Sequence, residues 1–418
     1  MLETIVVGAG QAGLAASWHL ARRGIEHVVL ERARIGDTWR TQRWDSFTLN
    51  TPAWMNRLPG IEADLGPRDG FPPGTAWVAH LEEYAGRFGL PVRTGIEVIA
   101  LKRIPDGTFA VRTRGEDEPI LARAVIVASG VQREPRIPGL AADLPREILQ
   151  LHTAEYRSPG MLPPGAVLVV GAAQSGGQIV EDLLDARRVV HLATSRVPRV
   201  RRRTLGRDTL EWLVPAGFMD LPTERVADPA ERHAPQPLTS GVGRRGHTLS
   251  LQWLEARGAR LLGRLRAVDG GRLRFDDDLG ANIRFGDETS ARATRNIVEG
   301  LAAAGLDGGL PPLEDDPADV PHPDPDAVHG PTHLDLADAG ISTVIWATGF
   351  RPSMAWLPAG LLDERGVLRH AGGVTAVPGL CALGFPWLRT RGSGIVYGLG
   401  RDADAVVTRL TEHLARVT

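Results

Sequence analysis

The chain has 418 residues, room for two domains with a substantial core. Its formal net charge of -2 gives no basis for nucleic acid or an anionic membrane as partner, and 43% hydrophobic with 23% charged residues is the balance of a soluble globular enzyme. The single cysteine, Cys381, excludes an intrachain disulfide and a CxxC redox pair, so dithiol reductase chemistry is out of reach.

The first apolar run, Ile5 to Gly8, has no basic region before it and flows directly into a glycine motif, unlike a signal peptide. No stretch is apolar enough to span a bilayer, and a cytoplasmic location is expected. Thr4 to Val7 predicts a buried strand, followed by Gly8-x-Gly10-x-x-Gly13, a helix through Leu14, Trp18 and Leu20, and a second strand from His27 to Leu30. In such a unit the first glycine makes the tight turn, the second lets a pyrophosphate approach, and the third lets helix and strand pack. Gln11 and Ala12 open the helix, whose N-terminus favours phosphate. Glu31 follows Gly8 by 23 residues, where a carboxylate binds ribose hydroxyls and repels a 2′-phosphate. The motif therefore predicts an FAD or NAD site, with Arg32 beside it.

Downstream, Thr75 to Phe88 predicts an amphipathic helix with Trp77, Leu81, Tyr84 and Ala85 on one face. Glu97 to Val111 and Ile120 to Ala128 predict strands of a small meander. Residues 166–196 repeat strand, glycine turn, helix and strand. Here the motif is Gly171-x-Ala173-x-x-Gly176, with Gln174 and Ser175 opening the helix. The Ala173 Cβ should push a pyrophosphate slightly away. Where an acid would mark NAD stand Ser195 and Arg196, followed by Arg199, Arg201, Arg202 and Arg203, groups suited to a 2′-phosphate. The expectation is an NADPH site; the bland alternative is a solvated basic loop. Residues 207–254, with Trp212, Phe218, Met219 and a Gly-Arg-rich turn, read either as a substrate lid or as a surface insertion. Residues 313–334 carry acids and histidines at irregular spacing among prolines and read as a solvated linker, so no metal site is expected.

With these residues in view, the chain resembles the class B flavin-dependent monooxygenases, which include flavin-containing and indole-pyruvate monooxygenases. Gly36-Asp37-Thr38-Trp39-Arg40 resembles the family's GxxW segment beside the flavin, and Leu49-Asn50-Thr51-Pro52 the segment whose Asn lies near isoalloxazine and nicotinamide. Ala128-Ser129-Gly130 and Ala347-Thr348-Gly349 resemble its two ATG turns. By the same resemblance Val98 lies near the adenine, and Ser393, Gly394 and Ile395 open a C-terminal helix facing the flavin pyrimidine. The fingerprint FxGxxxHxxxY survives only as His152 and Tyr156, since Arg146 and Ile148 hold the Phe and Gly positions. His152 reads as a linker-positioning residue before a general base.

The resemblance implies an α/β fold of two Rossmann-like dinucleotide-binding domains. FAD would bind a split domain (1–157 and 325–418) and NADPH the domain inserted between them (158–324). It further implies insertion of one oxygen atom from O2 into a small organic substrate through a C4a-(hydro)peroxyflavin, with Asn50 as the catalytic side chain. The alternatives are an NADPH-dependent flavin reductase without oxygen insertion and a non-catalytic FAD-binding redox sensor. Oligomeric assembly is left open.

Overall fold

The computed structural model describes residues 1–233, 237–239, 241 and 246–417. The Gly-Arg-rich turn falls largely on 242–245, outside the described residues. Two sheets organise the chain, the second wholly parallel and the first parallel except where Phe109–Thr113 and Val98–Arg103 continue it antiparallel beyond Ile120–Val127. In the first, strands run in the order Val92–Arg93, His27–Leu30, Leu2–Val7, Ile120–Val127, with Leu380–Ala382 pairing along the C-terminal half of the last. In the second the order is Arg260–Leu262, Val190–Ala193, Ala166–Val170, Ile341–Trp346, Leu149–His152. The central strands are short, apolar and buried on both faces, as parallel strands covered by helices must be.

The glycine motifs become matching turns. The helices Gln11–Arg22 and Gln174–Asp185 start from Gly10 and Ala173, whose backbones are nearly identical (φ -79, ψ -175 and φ -75, ψ -175). Gly8 N–H donates to Leu30 at 2.8 Å, and Gly171 N–H donates to Ala193 at 3.0 Å. Each turn abuts an ATG segment: Ala128 N–H donates to Val7, and Ala347 N–H to Val170, both at 2.9 Å.

Several sequence boundaries shift. The strand expected over 97–111 is two antiparallel strands, Val98–Arg103 and Phe109–Thr113, because Asp106 and Gly107 form the turn between them. The helix expected from Thr75 to Phe88 is Gly74–Arg87, with the apolar face buried as read. The second sheet draws strands from both sides of residues 158–324. Leu149–His152 and Ile341–Trp346 are hydrogen-bonded strands of the second sheet, and His333–Asp335 pairs with Arg272–Phe275 beside it. The chain returns to the first sheet only at Leu380–Ala382. Neither strand's apolar sequence says which of two similar sheets it joins.

Residues 313–334 are more than a solvated linker. Asp319 pairs with the buried Arg199, Asp316 accepts from Thr248, and the Glu314 carbonyl accepts from Arg201 at 2.7 Å. Among the described residues there is no cluster of three or more potential metal ligands, and no helix is long and apolar enough to cross a membrane.

Candidate active-site cleft

One continuous cleft of ≈ 3770 Å³ runs between the carboxyl ends of the two sheets. An ordinary small-molecule pocket holds roughly 300–1,000 Å³. Its walls contain Gly8, Gly10, Gln11, Ala12, Glu31, Arg32, Thr38, Trp39, Asn50, Val98, Ala128 and Gly130. From the second half of the chain come Gly171, Ala173, Gln174, Ser175, Ser195, Arg196, Ala347, Thr348, Gly349, Ser393, Gly394 and Ile395. Of the residues singled out in the sequence, Gly13 and Gly176 stand apart. A Cβ at Gly13 would lie 1.8 Å from the Gly8 carbonyl oxygen, and one at Gly176 1.9 Å from that of Gly171. They let helix meet strand and do not face the cleft.

At Gly10 a Cβ would meet nothing within 4 Å, so this face is open to the cleft. Neither helix start carries a side-chain cap. Their first amides and the helix dipoles are therefore available to an anion, and the cradle suits a dinucleotide pyrophosphate at both turns. Glu31 is keyed to the first turn: its Oε2 accepts from Ala9 N–H at 2.8 Å and its Oε1 from Ala33 N–H at 3.1 Å. Trp39 is partly buried, with the Arg43 guanidinium 4.9 Å from its ring centroid. Arg43 has a pKa pushed down to about 10 by burial. Ser393 accepts from the Arg389 and Thr390 amides at 3.1 and 3.0 Å, fixing the turn before the helix Val396–Val417.

At the second site the arginine cluster divides. Arg196 is exposed, its guanidinium 4.5 Å from the Phe285 ring centroid. Arg199, Arg201 and Arg202 are buried and engaged. Arg199 pairs with Asp287 at 2.8 Å and Asp319 at 3.2 Å, and Arg202 Nε donates to Asp208 at 2.7 Å. The expectation that these three greet a 2′-phosphate is therefore corrected. The acids that neutralise them lie 6 to 120 positions away and announce nothing in the local sequence.

Asn50 sits where the two halves meet. Its Oδ1 accepts from Gln178 Nε2 at 3.0 Å, and its main-chain oxygen accepts from Arg202 Nη1 at 3.0 Å. Asn56 braces the same loop, donating to the Thr51 and Pro52 carbonyls at 3.0 and 2.9 Å. Gln178 and Asn56 carried no recognisable signal in the sequence. His152 is fully buried, its Nε2 2.9 Å from the Gly349 oxygen and its Nδ1 accepting from Ala154 N–H at 3.1 Å. Burial lowers its pKa, and these bonds fix a neutral ring that props the second ATG turn. Burial, and then the hydrogen bond that Tyr156 donates at 2.6 Å to Asp182 on the second-unit helix, raise the Tyr156 pKa well above the usual phenol range. Residues 207–254 line the cleft at Leu210, Leu213, Phe218 and Met219, and their backbone is zipped to the C-terminal loop. Thr223 N–H donates to Arg389, Arg391 N–H to Leu221 and Gly392 N–H to Met219, at 2.9, 3.0 and 2.7 Å.

Two glycine-turn units opening on one cleft define an oxidoreductase of the two-dinucleotide type. The chain belongs to the pyridine nucleotide-disulphide oxidoreductase family, whose model matches residues 5–216. Proteins of this family bind FAD and NAD(P)H. The chain is 28% identical over 415 residues to an uncharacterized oxidoreductase CzcO-like of Geobacillus kaustophilus, covering 99% of both chains. It is 35% identical over 182 residues to the indole-3-pyruvate monooxygenase YUCCA1 of Oryza sativa, covering 43% of this chain and 44% of that one. Its fold is shared with a flavin-containing monooxygenase from Stenotrophomonas maltophilia, at TM-score 0.66 and 21% identity, with 99% and 98% covered. The family's name mentions disulphides, yet here Cys381 is alone, buried on the Leu380–Ala382 strand, and its thiol is pushed up to about 12 by burial.

Proposed function

We propose that the protein is an NADPH-dependent flavoprotein monooxygenase acting on a small organic substrate. The observation that carries this reading is the shared cleft: two pyrophosphate cradles face one volume, with Asn50 at their junction and no cysteine pair to receive electrons. FAD would occupy the Gly8–Gly13 side, with Glu31 at the ribose and Val98 near the adenine. NADPH would occupy the Gly171–Gly176 side, with Ser195 and Arg196 at the 2′-phosphate. FAD held there would supply the redox chemistry between NADPH and dioxygen, by which one oxygen atom would enter the substrate and the other leave as water. The chain's own work is placement and exclusion of water. The turn at Gly394–Ile395 offers backbone amides to developing negative charge, Asn50 offers a hydrogen bond at the junction, and the insertion walls the cleft with Leu210, Leu213, Phe218 and Met219. The likeness to proteins named indole-3-pyruvate monooxygenase supports oxygen insertion.

The test is isotopic. Holoenzyme, NADPH and 18O2 are incubated with a panel of amines, thioethers, ketones and 2-oxo acids, and products are read by mass spectrometry. One labelled oxygen per turnover is expected in a product. Rapid NADPH oxidation with a dye acceptor but no label in any product would make the protein a flavin reductase.

A further inference from the structure

The structure holds Asn50 from the opposite half of the molecule. Asn50 lies between the helices Asp37–Thr41 and Gly74–Arg87, on the first-sheet side. Gln178 lies on the helix Gln174–Asp185, one turn beyond Gln174, the residue that opens the second cradle. A carboxamide has one acceptor end and one donor end, and only its hydrogen bonds decide which way it points. Gln178 Nε2 donates one of its two hydrogens to Asn50 Oδ1. Among the described residues no partner takes the Asn50 Nδ2 hydrogens, and Asn50 lines the cleft. The main chain at Asn50 is fixed separately by Arg202, which is itself clamped by Asp208 and lies 4.4 Å from the Phe71 ring centroid.

We propose that Gln178 is a positioning residue for Asn50: it fixes the carboxamide so that an N–H2 donor, and not the carbonyl, faces the cofactors. This rests on the functional reading that places Asn50 beside them. A flipped Asn50 would set two N–H2 groups against each other and turn a carbonyl toward the cleft, where charge on a reduced ring system needs a donor. Gln178 shares its helix with the second cradle, so the helix that receives the nicotinamide nucleotide also sets the group meeting it.

The test is a double-mutant cycle on the FAD-loaded enzyme, reading anaerobic flavin bleaching by NADPH in a stopped-flow instrument. FAD content and NADP⁺ affinity are measured alongside. Gln178→Leu and Asn50→Ala are each expected to slow bleaching at saturating NADPH by about tenfold, with FAD content unchanged. The double variant is expected to be no slower than Asn50→Ala alone, because Gln178 acts only through Asn50. Gln178→Glu, which keeps the volume but invites the amide to invert, should match Gln178→Leu and replaces it if that variant loses FAD. Additive losses, an unaffected Gln178 variant, or an unaffected Asn50→Ala would overturn the proposal. The cycle is read before oxygen is admitted. A protein that fails the isotope test can therefore still pass this one.

Discussion

Single glycines in the first turn divide by what a methyl group would strike. At Gly13 the obstacle is the backbone of Gly8 at 1.8 Å, which cannot yield. At Gly10 there is no obstacle in the protein, only the volume assigned to a pyrophosphate. Gly13→Ala should therefore cost about 3 kcal/mol or more of fold stability, whereas Gly10→Ala should keep the melting temperature of the apoprotein and weaken FAD binding. Urea unfolding of the apo forms separates the two; equal destabilisation would contradict the assignment. The arginines divide in the same way. Arg196 is exposed at the cleft, and its replacement by Ala should raise KM for NADPH about tenfold, the worth of a charged hydrogen bond, with no change for NADH. Arg199→Ala takes the ion-pair partner from the buried Asp287, while the half-buried Asp319 keeps Arg201 and Ser290, and should cost about 3 kcal/mol. Thermal melts and steady-state kinetics on the two variants should show opposite patterns.

At the scale of elements, the strand Val190–Ala193 hides a pH response. His191 is 2% exposed, neither ring nitrogen has a partner among the described residues, and burial, then the Arg260 charge, push its pKa down to about 4. The folded state thus binds fewer protons than the unfolded one below pH 6.5. Its contribution to stability is complete above pH 6.5 and falls as pH drops toward about 4. The loss should reach at most about 3 kcal/mol across that window. Urea midpoints measured from pH 7.5 to 4.5 should fall more steeply for the wild type than for His191→Leu, so that the two separate as the pH drops; parallel curves would mean the ring is protonated in place. Periodicity revealed the strand but not this penalty, since a histidine in an apolar run looks the same whether or not a partner awaits it. The same limit applies to sheet membership. Val344 to Trp346 reads as a buried strand in either sheet, and only the register with Val167–Val170 decides.

Across the whole molecule, what was legible was what repeats. The two glycine turns, the two ATG segments and the acid or arginine after each second strand are local patterns, and the fold sets them in equivalent places. What was not legible joins distant segments: Gln178 to Asn50 across 128 positions, Ser46 and Tyr156 to Asp182, and the insertion's backbone to residues 389–392. These contacts are hydrogen bonds between residue types that occur everywhere on a surface, so composition cannot mark them. They bear on how cofactors stabilise the protein. The first cradle draws its walls from residues 8–39, 96–133 and 384–395, segments from both ends of the chain. A ligand there ties those ends together and binds only the folded state. Deflavinated protein should therefore gain about 4 kcal/mol at a thousandfold excess of FAD over its Kd, seen as a melting temperature that climbs with the logarithm of FAD concentration. NADP⁺ draws on the second half and should add its own smaller increment on top. The Gly10→Ala variant should need more FAD to reach the same shift. A melting temperature indifferent to FAD would remove the flavin from this cleft and the oxygen chemistry with it.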